Sequence, residues 1–312
     1  MEQLWYDPLL DQGRIPDWLI RLGLRRLIRR RLELLESGGP DGAANRLQDL
    51  VHRMDLAPIA ILGGAGEKED LDVPVEFYRL FLGKSMKYSC CLWEKGCQEL
   101  DDAERAMLEL TCRRAALSPG QHILELGCGW GSLTLMMAER YPGSRITAVS
   151  NSPAQKAWID RKAREKGLDQ ISVVTRDMND FKTTEQYDRV ITVEMLEHMR
   201  NFRTLMDRIR GWMAPGGKLF VQVFSHRAHA YLLEDLGKAD WLGRYFFSEG
   251  IMPSHGLLFH FSDPLRLEGH WQINGLHYAR TVRAWRTQME RNRNQVLDLF
   301  RPRYGPSQSR AW

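Results

Sequence analysis

The chain has no apolar run near the roughly 20 residues that cross a bilayer. It opens on charged and polar residues, so neither secretion nor membrane insertion is expected. Its five cysteines, Cys90, Cys91, Cys97, Cys112 and Cys128, are odd in number and form no CxxC pair. That argues against a disulfide framework and a structural zinc, and fits a reducing cytoplasm. An excess of one charge is also missing: 44 Lys plus Arg stand against 40 Asp plus Glu, a net of +4. No overall basic field therefore points to nucleic acid. Internal repeats and low-complexity tracts are absent as well.

The positive charge is local. Seven arginines and one aspartate lie between Arg14 and Arg31. Over Pro16 to Glu36 the apolar residues Trp18, Leu19, Leu22, Leu27, Leu32 and Leu35 recur at roughly helical spacing, which predicts one amphipathic helix. It is expected to stop at Ser37-Gly38-Gly39-Pro40, with a second helix from Arg46 to Ala57 and a loop from Leu62 to Pro74. A further helix is expected from Asp101 to Ala116.

Beyond Ser118-Pro119-Gly120 the period changes. Short apolar runs at His122–Leu126, Arg145–Ser150, Ile171–Thr175, Arg189–Val193 and Lys218–Phe224 alternate with segments long enough for crossover helices. This predicts an α/β fold with a doubly wound parallel sheet. Residues 226–260, rich in aromatics, Gly and Pro, read as an insertion over one end of it. A strand near His270–Gly275 and a helix from Tyr278 to about Asn294 would follow. At 312 residues there is room for one such core with additions: an N-terminal helical extension over 1–74 and a core over 75–312.

The string Glu125-Leu126-Gly127-Cys128-Gly129-Trp130-Gly131-Ser132 follows the first strand and enters a helix. Glycines belong there because backbone must approach a ligand where a Cβ would collide. The spacing is GxGxG, not the GxGxxG of dinucleotide enzymes, with an acid two residues before the first glycine. That is the pattern of methyltransferase motif I and points to S-adenosylmethionine as cofactor and S-adenosylhomocysteine as product. Glu125 would orient the loop, and Gly127, Gly129 and Gly131 would line the cofactor. After the second strand, Asn151 and Gln155 stand where an acid usually holds the ribose hydroxyls. Ser152 followed by Pro153 equally reads as a helix cap. After the third strand, Asp177 is placed to accept from the adenine amino group and Met178 to pack on the ring.

Directly after the fourth strand runs Glu194-Met195-Leu196-Glu197-His198-Met199. If a helical turn begins there, Glu194, Glu197 and His198 share a face at i, i+3 and i+4. Two carboxylates and an imidazole suit methyl transfer to an amine, which must lose a proton to expose its lone pair. An acidic helix start is the plainer alternative. No second group stands at metal-ligand spacing, and no metal is expected.

Together with Lys87-Tyr88-Ser89-Cys90-Cys91 and Tyr245-Phe246-Phe247, these strings resemble the coclaurine N-methyltransferases, a branch of the wider group that includes the cyclopropane-fatty-acyl-phospholipid synthases. The resemblance covers nearly the whole chain and implies a class I methyltransferase (Rossmann-like) fold with a helical, aromatic insertion after the fifth strand. It implies that Glu194, Glu197 and His198 hold and deprotonate the substrate amine, and that Tyr88 and Ser89 close over the cofactor. Where Glu194 stands the synthases carry glycine. The residues with which they hold bicarbonate nevertheless have counterparts in Cys90, Glu197, His226 and Tyr278, which keeps a lipid-modifying alternative open. The resemblance also implies a further helix and a final antiparallel strand beyond Trp312, so the sheet edge is expected to be truncated or completed differently.

The expected activity is thus N-methylation of a small aromatic or isoquinoline-like amine. Trp241, Tyr245, Phe246, Phe247 and Phe259 would wall the pocket. The expected partners are the amine, a weak membrane-surface contact through the Arg14–Arg31 helix, and a second copy of the chain.

Overall fold

A computed structural model describes residues 14–61, 73–233, 250–263 and 265–308. Five strands, β1 (His122–Leu126), β2 (Arg145–Ser150), β3 (Ile171–Thr175), β4 (Tyr187–Val193) and β5 (Met213–Gln222), form a parallel sheet in the order β3-β2-β1-β4-β5. The described helices are α1 (Asp17–Glu36), α2 (Gly39–Asp55), α3 (Val75–Arg79), α4 (Leu100–Arg114), α5 (Ser132–Arg140), α6 (Pro153–Lys166), α7 (Phe202–Trp212), α8 (Leu276–Arg291) and α9 (Arg293–Gln308).

β1 shows why the sheet is covered on both sides. Leu124 and Leu126 point into a core shared with Phe202, Leu205 and Ile209 of α7, while Ile123 points into one shared with Leu133 and Met137 of α5 and Leu108 of α4. A strand buried on both faces reads as continuous apolar sequence rather than alternation. A third core is largely aromatic, joining Tyr78, Phe81, Trp130, Trp158, Trp285 and Phe300.

Several elements depart from expectation. α2 begins at Gly39, not near Arg46, because Pro40 falls in its first turn, where no N–H is required. β5 begins at Met213 and runs through Pro215, tolerated because β5 is the edge strand among the described residues. It ends at Gln222 rather than Phe224, since the Phe224 amide turns to donate to Glu197. No strand forms over 270–275: His270 stacks on His255 at 4.1 Å and Gln272 meets the same ring, so side-chain contacts replace a ladder. The helix expected from Tyr278 to about Asn294 is α8, Leu276–Arg291, and a helix not expected, α9, follows it after Asn292, whose side chain donates to the Leu80 carbonyl at 2.7 Å.

The described part of the 226–260 insertion holds an antiparallel pair, β6 (Tyr231–Leu233) with β7 (Gly250–Met252), and a 3₁₀ helix whose span, Leu257–Phe261, begins inside it. Trp241, Tyr245, Phe246 and Phe247 lie outside the described residues.

The stretch after α2 is sewn to the core beneath the β4 exit. The Asn201 side chain donates to the Asp55 and Ala57 carbonyls, Asn179 exchanges two hydrogen bonds with Ala60, and the Arg200 amide donates to Ile59. α1 is different: none of its twenty residues is buried. No described helix is long and apolar enough to cross a membrane.

Candidate active site

The strand order reverses between β1 and β4, which are hydrogen-bonded neighbours. Loops leaving their carboxyl ends therefore rise side by side over the crevice where ligands of such sheets bind. The glycine loop leaves β1 and the Glu194 turn leaves β4, so topology alone brings the two sequence motifs together.

The glycine loop is tied to β2 by the amides of Gly127 and Cys128, both donating to the Val149 carbonyl at 3.0 Å. Gly127 has φ +76°, and a Cβ there would come within 2.6 Å of Met195 Cγ. Gly131, in front of α5, would strike Ile159 in the same way. These two are required by packing. Gly129, at φ +52°, has no atom within 4 Å of its would-be Cβ, and α5 begins without a side-chain cap. Bare backbone facing open space beside an uncapped helix start fits a nucleotide-bearing cofactor. S-adenosylmethionine supplies an electrophilic methyl carried on a sulfonium.

The other expected cofactor residues divide. Glu125 is fully buried and accepts from the Thr134 hydroxyl at 2.5 Å, bracing β1 against α5; burial raises its pKa to about 7. Ser152 does cap α6, accepting from the Gln155 amide, with Pro153 at the first helical position. The Gln155 side-chain oxygen accepts from Ser150 at 2.6 Å, and Asn151 is exposed at the end of β2. Asp177 accepts the Asn179 amide at 2.7 Å, and Met178 is buried in the α2–α7 core. Tyr88 is exposed, its ring set edge-on to Tyr78 and Phe81. Ser89 is buried and receives a hydrogen bond from Lys87.

The expectation of a shared helical face at 194, 197 and 198 is not met. Glu194 has φ +49°, outside any right-handed helix, and the helical geometry that follows is a 3₁₀ turn over Leu196–His198. A positive φ on a non-glycine residue costs on the order of 1 kcal/mol and marks a position held by its surroundings. The surroundings are visible. The Glu194 amide donates to the Gln222 carbonyl at 2.8 Å, which fixes the backbone against β5. Its carboxylate accepts from the Cys90 amide at 2.9 Å and the Gln222 side chain at 3.4 Å through Oε1, and from the Tyr278 hydroxyl at 3.2 Å through Oε2. Three separate elements thus converge on one carboxylate.

Glu197 is fully buried beside it. Oε1 accepts the Phe224 amide at 2.7 Å, and Oε2 has no hydrogen-bond partner among the described residues. Burial raises the pKa of both acids, and the proximity of Glu194 raises that of Glu197 further. Two carboxyls in such electrostatic contact do not both ionise readily, and the donors on Glu194 favour its ionised form over that of Glu197. His198 keeps exposed surface although protein crowds around it, and that partial desolvation lowers its pKa. It is a neutral imidazole near neutral pH.

Sequence reasoning gave no role to Gln222, Lys87 or the Phe224 amide. Gln222 sits mid-run in an apolar strand and a backbone amide has no sequence signature. Lys87 was visible only as one letter of a motif. Of the counterparts suggested for an anion site, Cys90 and Tyr278 both donate to Glu194, and His226 uses Nδ1 to accept the amides of Ala228 and His229. The five cysteines are free thiols, and burial pushes Cys90 and Cys91 up to about 12, so neither is a nucleophile near neutral pH. Of the expected aromatic wall, Phe259 is exposed and set edge-on to His270.

A family model described as mycolic acid cyclopropane synthetase matches residues 65–305. The (S)-coclaurine N-methyltransferase of Thalictrum flavum subsp. glaucum is 35% identical over 93% of this chain and 81% of its own length. The cyclopropane-fatty-acyl-phospholipid synthase of Escherichia coli strain K12 is 28% identical over 76% of this chain and 59% of its own. Among solved structures, a coclaurine N-methyltransferase bound to N-methylheliamine and SAH superposes with a TM-score of 0.92 at 32% identity, covering 97% of this chain and 88% of that one. A cyclopropane synthase from Mycobacterium tuberculosis, at 20% identity and a TM-score of 0.64, shares the fold. With that coverage, the glycine cradle of β1 and the Glu194 turn of β4 sit in a known frame: the chain belongs to the mycolic acid cyclopropane synthetase family of S-adenosylmethionine-dependent methyltransferases, alongside the coclaurine N-methyltransferases.

Proposed function

We propose that the protein N-methylates a small aromatic, isoquinoline-like amine, with Glu194 as the group that receives the substrate ammonium. The observation that carries this is the Glu194 carboxylate, held by Cys90, Gln222 and Tyr278 at the end of β4 with the unpartnered Glu197 Oε2 beside it. An alkylamine is largely protonated near neutral pH and has no lone pair to offer. The carboxylate of Glu194 binds that cation and takes its proton, leaving the neutral amine to attack the methyl in line. The C–S bond of the sulfonium breaks as the N–C bond forms, and the positive charge passes from sulfur to the product nitrogen. In this reading the unpartnered Glu197 Oε2 hydrogen-bonds to the amine, and His198 relays the proton outward.

The lipid-modifying alternative draws less support, because the Cys90 amide and the Tyr278 hydroxyl are both engaged by Glu194. A substrate screen read by mass spectrometry tests the proposal, with benzylisoquinolines, phenethylamines, simple alkylamines and unsaturated phospholipid vesicles as arms. Amine methylation that falls by orders of magnitude in Glu194→Ala, with cofactor affinity nearly unchanged, supports it. Cyclopropanated lipid in the vesicle arm without amine product overturns it.

The free, largely buried thiols support a reducing cytoplasm. The unburied, arginine-rich α1 supports contact with an anionic membrane surface.

A further inference from the structure

Lys87 is a buried lysine to which the proposed chemistry gives no role. It is 1% exposed, yet the groups that accept from its ammonium are neutral: the Ser89 hydroxyl and, at 2.8 Å, the Cys90 carbonyl. A buried ammonium with only neutral acceptors needs a carboxylate nearby. Two are within electrostatic reach, Glu104 and Glu194.

Glu104 serves the backbone. Its carboxylate accepts the amides of Gly83 and Ser85 at 2.9 Å and of Lys87 at 3.3 Å, so it shapes the 83–87 turn that delivers the lysine. From there the chain is pinned by α8: Thr281 Oγ1 receives the Cys91 amide at 3.1 Å and the Trp93 indole at 3.0 Å, and His277 receives the Trp93 amide at 2.9 Å. Between these anchors lies Cys90, whose carbonyl faces Lys87 and whose amide faces Glu194.

We propose that Lys87 is a positioning residue for the methyl transfer, holding the Ser89–Cys90 turn so that the Cys90 amide meets Glu194 and supplying the fixed positive charge that keeps this carboxylate ionised before an amine arrives. The groups that act on Glu194 come from four elements. The 87–91 segment brings Lys87, Cys90 and Cys91, α8 brings Tyr278, β5 brings Gln222, and the turn itself brings Glu197. Cys90, Cys91 and Tyr278 have raised pKa values and are neutral near pH 7, burial and Glu194 raise the pKa of Glu197, and Lys87 is the cation of this shell among the described residues. Burial raises the pKa of Glu194 and the lysine opposes that rise. Without Lys87, Glu194 would share a proton with Glu197 and meet an incoming ammonium as a neutral acid.

The inference rests on the reading of Glu194 as the amine acceptor, and the test separates the two. In Lys87→Met the acidic limb of the kcat/KM profile for amine methylation is expected to move up by about one pH unit or more. The loss is to be roughly tenfold at pH 7 and largely recovered at pH 9.5, with S-adenosylhomocysteine affinity changed less than about threefold. Lys87→Arg, which keeps the charge, is to lie between it and the parent. A loss of kcat/KM that is the same at every pH is what a merely structural lysine produces, and it overturns the proposal. A second measurement needs no substrate: the infrared carboxylic-acid C=O band that disappears in Glu194→Gln, followed against pH. It is expected to persist to higher pH in Lys87→Met, and an unchanged titration also overturns the proposal even if no amine is ever methylated. Should Lys87→Met not fold, Ser89→Ala, which removes one acceptor of the ammonium, is to shift the same band in the same direction by less; no shift there counts against the inference.

Discussion

The Tyr278 hydroxyl donates to Oε2 of Glu194 at 3.2 Å, joining the first turns of α8 to the end of β4 across 84 positions of sequence. Tyr278 is half-buried and its pKa is raised by desolvation and by Glu194, so it remains a donor throughout the working range. Its hydrogen bond favours the ionised form of Glu194, and its loss has a defined direction.

In Tyr278→Phe one donor to the carboxylate is gone and the pKa of Glu194 rises further. Because a carboxyl accepts a proton only above its own pKa, methylation is to fall on the acidic side first. We expect about a tenfold loss of kcat near pH 7, from one charge-assisted hydrogen bond, and a smaller loss near pH 9. A pH–rate profile of both proteins checks this; an equal loss at both pH values would contradict it.

The two neighbouring glycines are expected to fail differently. Gly127→Ala places a Cβ 2.6 Å from Met195 Cγ at φ +76° and should lower stability by roughly 2–4 kcal/mol, through overpacking and backbone strain together. Gly129→Ala meets no atom within 4 Å and should lose only about 1–2 kcal/mol. Its methyl group enters the cofactor cradle, however, so S-adenosylhomocysteine affinity should fall more than stability does. Thermal melts paired with calorimetric titration separate the two effects.

Glu125 predicts a pH-dependent stability. Its folded pKa, about 7, lies above the ordinary 4.5 because the side chain is buried with one hydroxyl donor. A carboxyl with a raised folded pKa favours the fold while protonated, so its contribution is complete below about pH 4.5 and is lost as pH rises through 7. The loss amounts to at most about 3 kcal/mol. Glu125→Gln cannot titrate, and its stability relative to the parent should improve between pH 5 and pH 8 in denaturant melts of the cofactor-free protein. A pH-independent difference would show that Glu125 is not buried as described.

α1 leaves Leu24, Leu27, Ile28 and Leu34 exposed at helical spacing, with Arg21, Arg25, Arg26, Arg29 and Arg30 around the remaining surface. Vesicles containing phosphatidylserine should sediment the protein in low salt and release it as salt rises. Replacing Arg25, Arg26, Arg29 and Arg30 with glutamine should weaken binding about 100-fold or more, at roughly 1 kcal/mol per charge. Concentration-dependent dimerisation without lipid binding would assign the face to a second copy instead.

The alternation of apolar runs and crossover segments, the GxGxG loop and the acidic cluster after the fourth strand were all legible from residue order, because each depends on local period and spacing. That order placed β1 to β3 at their observed bounds and marked Glu194, Glu197 and His198. It misjudged the start of α2 and the start of β5, where a proline sits harmlessly in a first turn and on a sheet edge. It also assumed a helical face at Glu194, where the backbone is left-handed.

What residue order could not supply is which distant groups meet. Cys90, Gln222 and Tyr278 come to Glu194 from three elements because β4 pairs with β5 and α8 packs over the 87–93 segment. Which donors surround that carboxylate follows from that convergence. Burial and electrostatics depend on distance in space, and the chain alone specifies only distance along itself.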